Sequence, residues 1–132
     1  LEKAFDAAKE NEVVTLFKDI TVTKEQTVKS GKVVTLDLAG HTITGLDETS
    51  KSFGLITIKQ GNLTINDSVG TGAITLKATV ESGWNRYSSV ISNQQGTLTV
   101  NGGVYEGANM PTTIEAYKYL VDNNVIYIFT PL

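Results

Sequence analysis

The side chains richest in chemistry sit together in KATVESGWNRYS, residues 77 to 88. This stretch holds the only Trp and the only Arg of the chain, Trp84 and Arg86, with Glu81, Asn85 and Tyr87 beside them. Aromatic rings next to hydrogen-bonding groups suit a sugar: its C–H faces stack on rings, its hydroxyls reach polar side chains, and a guanidinium pairs with a uronate carboxylate. A second polar stretch, residues 46 to 53, adds Asp47, Glu48, Lys51 and Phe53. The competing expectation is structural, with Trp84 and Tyr87 folding back over an exposed edge, the ordinary fate of large aromatic residues. Elsewhere the chemistry is thin. His41 is the only histidine and has no Ser, Cys or second His motif beside it, so it reads as a surface turn residue. The chain has no cysteine, which excludes a disulfide framework, a thiolate nucleophile and a Cys-ligated metal site. Asp67 and Glu106 make a cation site conceivable, but no calcium-loop spacing accompanies them, and neither cofactor nor metal is expected.

What must position these residues is a repeat. GKVVTLDLAGHTITG, starting at Gly31, is echoed by QGNLTINDSVGTGAITL from Gln60 and QQGTLTVNGGVYEG from Gln94, with a fainter copy, VVTLFKDITV, from Val13. Each echo has a glycine, an alternating strand, an Asp or Asn, a tight turn and a second short strand. Superposition puts Thr15, Thr35, Thr64 and Thr99 in one column. Alignment on Gly31, Gly61 and Gly96 exposes a further strand before each glycine, at residues 26–28, 55–58 and 90–92. A unit of this size cannot bury its own apolar face, so neighbours must stack. Val34, Leu36 and Leu38, Leu63 and Ile65, and Leu98 and Val100 then face the core, with the threonines outside. Three short strands per turn, each paired with its equivalent one turn away, describe an all-β parallel β-helix of about four rungs. An antiparallel sandwich of hairpins is the alternative, but it gives no reason for like residues to recur at like positions. Asp37, Asn66 and Asn101 form a column at the turn after the middle strand, an expected hydrogen-bonding ladder. The two polar stretches follow the same strand of consecutive turns, so they should leave the body side by side and form one surface.

At 132 residues and net charge −3, with scattered basic residues, the chain is one domain by length and an improbable nucleic-acid partner. Residues 1–12 carry Leu1, Ala4, Phe5 and Ala8 at helical spacing and read as an N-terminal capping helix; residues 13–107 are the rungs. Residues 108–132 read as a C-terminal cap made of a helix, with Ile114, Tyr117, Leu120 and Val121 on its apolar face and Asn123 and Asn124 ending it, then a strand, Val125 to Phe129. No apolar run is long enough to span a membrane, and an export signal is expected to lie upstream.

VVTLDLAGHTITG, GNLTINDS with GTGAIT, and GTLTVNGGVYEG resemble the rungs of right-handed parallel β-helix proteins of the pectin-lyase-like type, particularly those in large surface proteins of gut-dwelling bacteria. The likeness covers about residues 1–107 and speaks to fold more than to activity, since such folds host many functions. It implies a secreted or cell-surface module, for display, adhesion or weak binding of a polysaccharide or glycoprotein glycan, within a longer chain. The runner-up reading is a polysaccharide lyase or hydrolase of that group, or an inactive remnant of one. Enzymes of that group place acids, calcium ligands or a basic residue on the outward side of the strand after the corner where the insertions leave. The corresponding column here is Thr27, Thr57 and Ser92, with outward neighbours Glu25 and Lys29, Leu55 and Lys59, and Val90 and Gln94. Inverting glycosidase chemistry needs two carboxylates and this face offers Glu25 alone. Lys29 and Lys59 could stack, each lowering the pKa of the other, yet no acid cluster stands by to hold calcium, and the pair reads as exposed, solvated charges.

Overall fold

A computed structural model of the chain describes residues 1–48, 54–78, 89–107, 119–122 and 125–128. One short helix, α1 (Glu2–Ala7), precedes the strands. Val, Ile and Thr dominate from Val13 onward and alternate with period two, which selects extended backbone over helix. The strands are β1 (Val13–Thr15), β2 (Ile20–Val22), β3 (Gln26–Val28), β4 (Val33–Asp37), β5 (Thr42–Asp47), β6 (Gly54–Lys59), β7 (Asn62–Asn66), β8 (Ala73–Ala78), β9 (Ser89–Gln94), β10 (Thr97–Val100) and β11 (Val104–Glu106). They form three sheets, ordered β1-β4-β7-β10, β2-β5-β8-β11 and β3-β6-β9, and every pair in them is parallel. The chain visits the three sheets in the same order on each pass and pairs each strand with the one three places later. This all-β arrangement is consistent with a parallel β-helix.

The core is the column of inward side chains. Leu36 pairs in register with Ile65, and Ile65 with Val100; Ile43 pairs with Ile74, and Val28 with Ile58. All of these are fully buried except Val100, which packs half-buried against the rest. Each full burial of this kind stabilises by roughly 1.5–3 kcal/mol. Thr35, Thr64 and Thr99 stack in one outward column. Thr15 does not join them: it stands opposite Asp37, and Val13 opposite Thr35, a shift of two residues. A two-residue slip leaves every side chain on its face, so alternation alone does not detect it. The inward match of Val14 with Leu36 and the bond from Leu16 N–H to the Asp37 carbonyl set the observed register.

The glycine alignment holds in space for Gly61 and Gly96 but is off by one at Gly31: Val33 pairs with Asn62, so Lys32 stands opposite Gly61, and Gly31 matches Gln60, with which it shares a positive φ. Lys59 pairs with Gln94, so Gly61 and Gly96 occupy equivalent positions. At Gly61 a Cβ would lie 2.7 Å from the Lys29 carbonyl oxygen, and at Gly96 it would collide with the Gly61 carbonyl oxygen. Glycine there lets the turns nest.

Two sequence expectations change. Residues Tyr119–Asp122, read as the end of a helix carrying Leu120 and Val121, form strand β12, antiparallel to β13 (Val125–Ile128). Asp122 pairs with Val125, and Asn123 and Asn124, read as the helix stop, lie outside the described residues. Ile114 and Tyr117 lie outside the described residues. Leu55 and Val90, read as outward, are fully buried, as are or nearly are their neighbours Ile56 and Ile91. Strict alternation fails at the start of β6 and β9 because Leu55 turns into the core opposite Gly45, where a Cβ would sit 2.5 Å from Leu55 Cδ1.

Candidate functional site

β5 and β8 run in register to their last residues, Asp47 opposite Ala78, and β6 and β9 begin in register, Gly54 opposite Ser89. The described residues that flank 49–53 are therefore next to those that flank 79–88. The strands reach further than the sequence reading allowed, since Leu46, Asp47, Lys77 and Ala78 belong to β5 and β8. Trp84, Arg86, Tyr87, Glu81, Asn85, Lys51 and Phe53 lie outside the described residues. Asp47 follows Ile43 and Gly45 on the inward side of β5 and its exposure is 0%.

The outward face of β3, β6 and β9 also departs from the reading. Thr27, Thr57 and Ser92 stack in register as aligned. Thr57, however, is fully buried, and its Oγ1 has no hydrogen-bond partner. Gly54 explains part of that burial: a Cβ there would lie 2.7 Å from Thr57 Oγ1, 3.2 Å from Ser92 Cβ and 3.5 Å from Glu25 Oε2, so the backbone of β6 closes over the hydroxyl. Lys29 is not a repelled cation. Its ammonium stands 2.7 Å from Asp6 Oδ2, and that charge-assisted hydrogen bond raises its pKa above the usual lysine value. The alternative of a mutually lowered Lys29 and Lys59 pair thus does not hold for Lys29, an exposed lysine to which α1 supplies an acid that the strand pattern alone did not contain.

α1 lies along β3. The Glu2 N–H donates to Gln26 Oε1 at 2.8 Å, and the Glu2 carboxylate accepts the Thr27 N–H. Lys32 Nζ donates to the Asp6 and Ala8 carbonyl oxygens at 3.1 and 3.0 Å, carbonyls that a helix end leaves without partners. Phe5 is buried in the core cluster. The residues serving this contact, Glu2, Gln26 and Lys32, carried no signal in the repeat pattern.

The Asp37, Asn66 and Asn101 column is a bonded one. Asp37 pairs with Asn66 in register, and Asn101 Nδ2 donates to Asn66 Oδ1 at 2.8 Å. Asp37 Oδ1 accepts the Ser68 N–H from the next turn and the Ala39 N–H from its own, both at 2.9 Å, and these bonds, the Ser68 one foremost, hold its pKa below the usual carboxylate value. Beside it, burial pushes the Asp67 carboxyl up, but backbone N–H groups of Gly72, Gly40, Gly70 and Val69 together outweigh burial and bring it down. His41 stands at the same corner, Nδ1 3.4 Å from Asp19 Oδ1, while Asp19 accepts the Thr42 N–H at 2.9 Å. These groups tie turns to each other. Among the described residues, no group of three or more His, Cys, Asp or Glu is placed to hold a metal ion. Comparison with protein-family models finds no match, and comparisons with curated proteins and with solved structures find none either.

Proposed function

We propose that this chain is a right-handed parallel β-helix of the pectin-lyase-like type, about four rungs with three strands each, closed by α1 at one end and by residues 108–132 at the other. It serves as a non-catalytic module of a secreted or cell-surface bacterial protein, for display, adhesion or weak glycan binding. The supporting observation is the pairing of Asp47 with Ala78 and of Gly54 with Ser89. That register brings the ends of both long insertions to one corner, and one insertion carries the sole Trp and the sole Arg. A stack whose other turns are filled by bonds between turns is a scaffold for what one corner presents.

The test is a glycan and mucin binding screen of the wild type against a Trp84→Ala, Tyr87→Ala double variant whose melting temperature is measured first. Binding through one or two rings and a guanidinium should be weak, roughly 10 µM to 1 mM, because few contacts remain after ordering costs. The expected result is loss of binding with the melting temperature kept. Equal binding by the variant, or a large fall in its melting temperature, sinks the recognition role and leaves the two rings a structural cover. Release of unsaturated or reducing ends from uronate or neutral polysaccharides would replace the reading with the enzymatic one.

A further inference from the structure

Just past β10, the Asp37, Asn66 and Asn101 column meets a glycine. Asn101-Gly102 is the only Asn-Gly pair in the chain. The corner favours both residues. Asn101 N–H donates to the Ile65 carbonyl oxygen and Asn101 Nδ2 to Asn66 Oδ1, each at 2.8 Å, which carries the column one turn further. Gly102 then sits directly on Asp67: a Cβ there would lie 3.1 Å from Asp67 Cβ and 3.4 Å from Asp67 N, so a residue without a side chain nests where a larger one would push. The Gly102 carbonyl accepts the Tyr105 hydroxyl at 2.7 Å, whereas the Gly102 N–H has no hydrogen-bond partner among the described residues. Asn101 is exposed, so water and hydroxide reach it.

An asparagine amide followed by a main-chain nitrogen that is both unbonded and unhindered can react with it. We propose that Asn101 is a self-modification site, where the Gly102 main-chain nitrogen converts the side-chain amide into an acid and the contact with Asn66 sets the pace. Water is the only co-reactant. The Gly102 nitrogen gives its proton to hydroxide and its electron pair bonds to Asn101 Cγ; the Cγ–Nδ2 bond breaks, and ammonia leaves with a proton taken from water. The product is a succinimide ring, which water then opens. Cleavage of the ring bond from nitrogen to Cγ leaves an ordinary aspartate. Cleavage of the ring bond from nitrogen to the main-chain carbonyl carbon leaves an isoaspartate, whose backbone runs through the former side chain.

Ring closure expels Nδ2, the atom that donates to Asn66, so the column bond is lost on the way and opposes the step. Either product also loses that donor, because a carboxylate only accepts. The other described asparagines are followed by residues with side chains that crowd the attacking nitrogen: Glu12 after Asn11, Leu63 after Asn62, Asp67 after Asn66 and Gln94 after Asn93.

The experiment incubates the full chain in mildly alkaline buffer at body temperature and follows it by peptide mass mapping and by isoaspartyl methyltransferase labelling. Asn101 should show the mass change of amide-to-acid conversion and take up methyl label, at a rate that rises with pH, ahead of every other described asparagine. Asn101→Gln should remove the label from that peptide. Gly102→Ala should slow conversion roughly tenfold, since a Cβ beside the nitrogen hinders attack. Asn66→Ala removes the acceptor and should speed conversion roughly two- to tenfold, the range that one net hydrogen bond supplies. An Asn101 that stays an amide while Asn62 or Asn93 converts, or a folded Gly102→Ala chain that converts as fast as wild type, overturns the site. Should Gly102→Ala fail to fold, the mapping of Asn101 against Asn62 and Asn93 in wild type decides alone. An Asn66→Ala chain with the wild-type circular dichroism spectrum and the wild-type rate overturns the control by the column.

Discussion

The Asp67 carboxylate accepts the backbone N–H of Gly40 at 2.9 Å, reaching across 27 residues of chain to the turn beneath its own. Its other oxygen takes the Gly72 N–H at 2.7 Å, so a single side chain fixes both the corner it belongs to and the one before it. Charged acceptors for backbone N–H groups are the strong kind of hydrogen bond, and a half-buried N–H left without one costs about 1–3 kcal/mol. Asp67→Ala should therefore lower stability by about 2–3 kcal/mol, read from urea unfolding. Asp67→Asn keeps one carbonyl acceptor and should fall between. An Ala variant as stable as wild type would mean that water serves these N–H groups equally well.

The glycines that precede the middle strands predict an order of damage. Gly96→Ala drives a methyl into the Gly61 carbonyl oxygen and Gly61→Ala puts one 2.7 Å from the Lys29 carbonyl, both backbone atoms that cannot step aside. Gly31 has open space around it, but φ is +79°, so alanine there meets only the left-handed penalty of about 1–2 kcal/mol. Thermal unfolding should rank Gly31→Ala mildest and the other two well below it. A reversed order would mean that the turns are not nested as tightly as the strand register requires.

Inward and outward columns should separate cleanly in a truncation series. Leu36→Ala and Ile65→Ala leave cavities in a fully buried stack and should cost about 2–4 kcal/mol each. Val100→Ala should cost less, since Val100 is only half-buried. Thr35→Ala, Thr64→Ala and Thr99→Ala on the outward column should stay under about 1 kcal/mol. Equal costs in the two columns would contradict the assignment of faces.

What the sequence disclosed follows from what stacking rewards. Like residues recur where turns lie directly on one another, so Gly61 beside Gly96 and Thr64 beside Thr35 were legible as a repeat, and strands β3, β6 and β9 emerged from the same alignment. Thr15 was misplaced by two because a period of two cannot count residues along a strand. The contacts of α1 were illegible for another reason: Glu2 to Thr27 and Asp6 to Lys29 occur once, and a single event leaves no periodicity to read. Thr57 looked like a wet outward threonine because its burial depends on the approach of Gly54, a main-chain event invisible in side-chain pattern. At the corner of the insertions, register disclosed the neighbourhood, while the inward turn of Asp47 followed from continuing β5 two residues further than the pattern suggested.

The response to pH can be derived with its sign. Asp37 and Asp67 have pKa values lowered by backbone N–H donors in the fold, whereas the unfolded chain binds those protons near pH 4. A lowered carboxyl contributes stability above the unfolded value, and that contribution disappears as pH falls through the folded one. Lys29 runs the opposite way: its pKa is raised by Asp6, so its contribution is complete below the ordinary lysine value and is lost as pH rises through the raised one. Urea midpoints should hence be flat between about pH 5 and 9 and fall steeply below about pH 4. In an Asp37→Asn, Asp67→Asn double variant the plateau should be lower and the acid limb shallower, because the two carboxylates that must be protonated are gone. Lys29→Met should lessen the alkaline fall, by the part that the raised Lys29 contributes. If the double variant keeps the wild-type acid slope, other carboxylates set the acid limit and the corner aspartates are not the bonds that fail first.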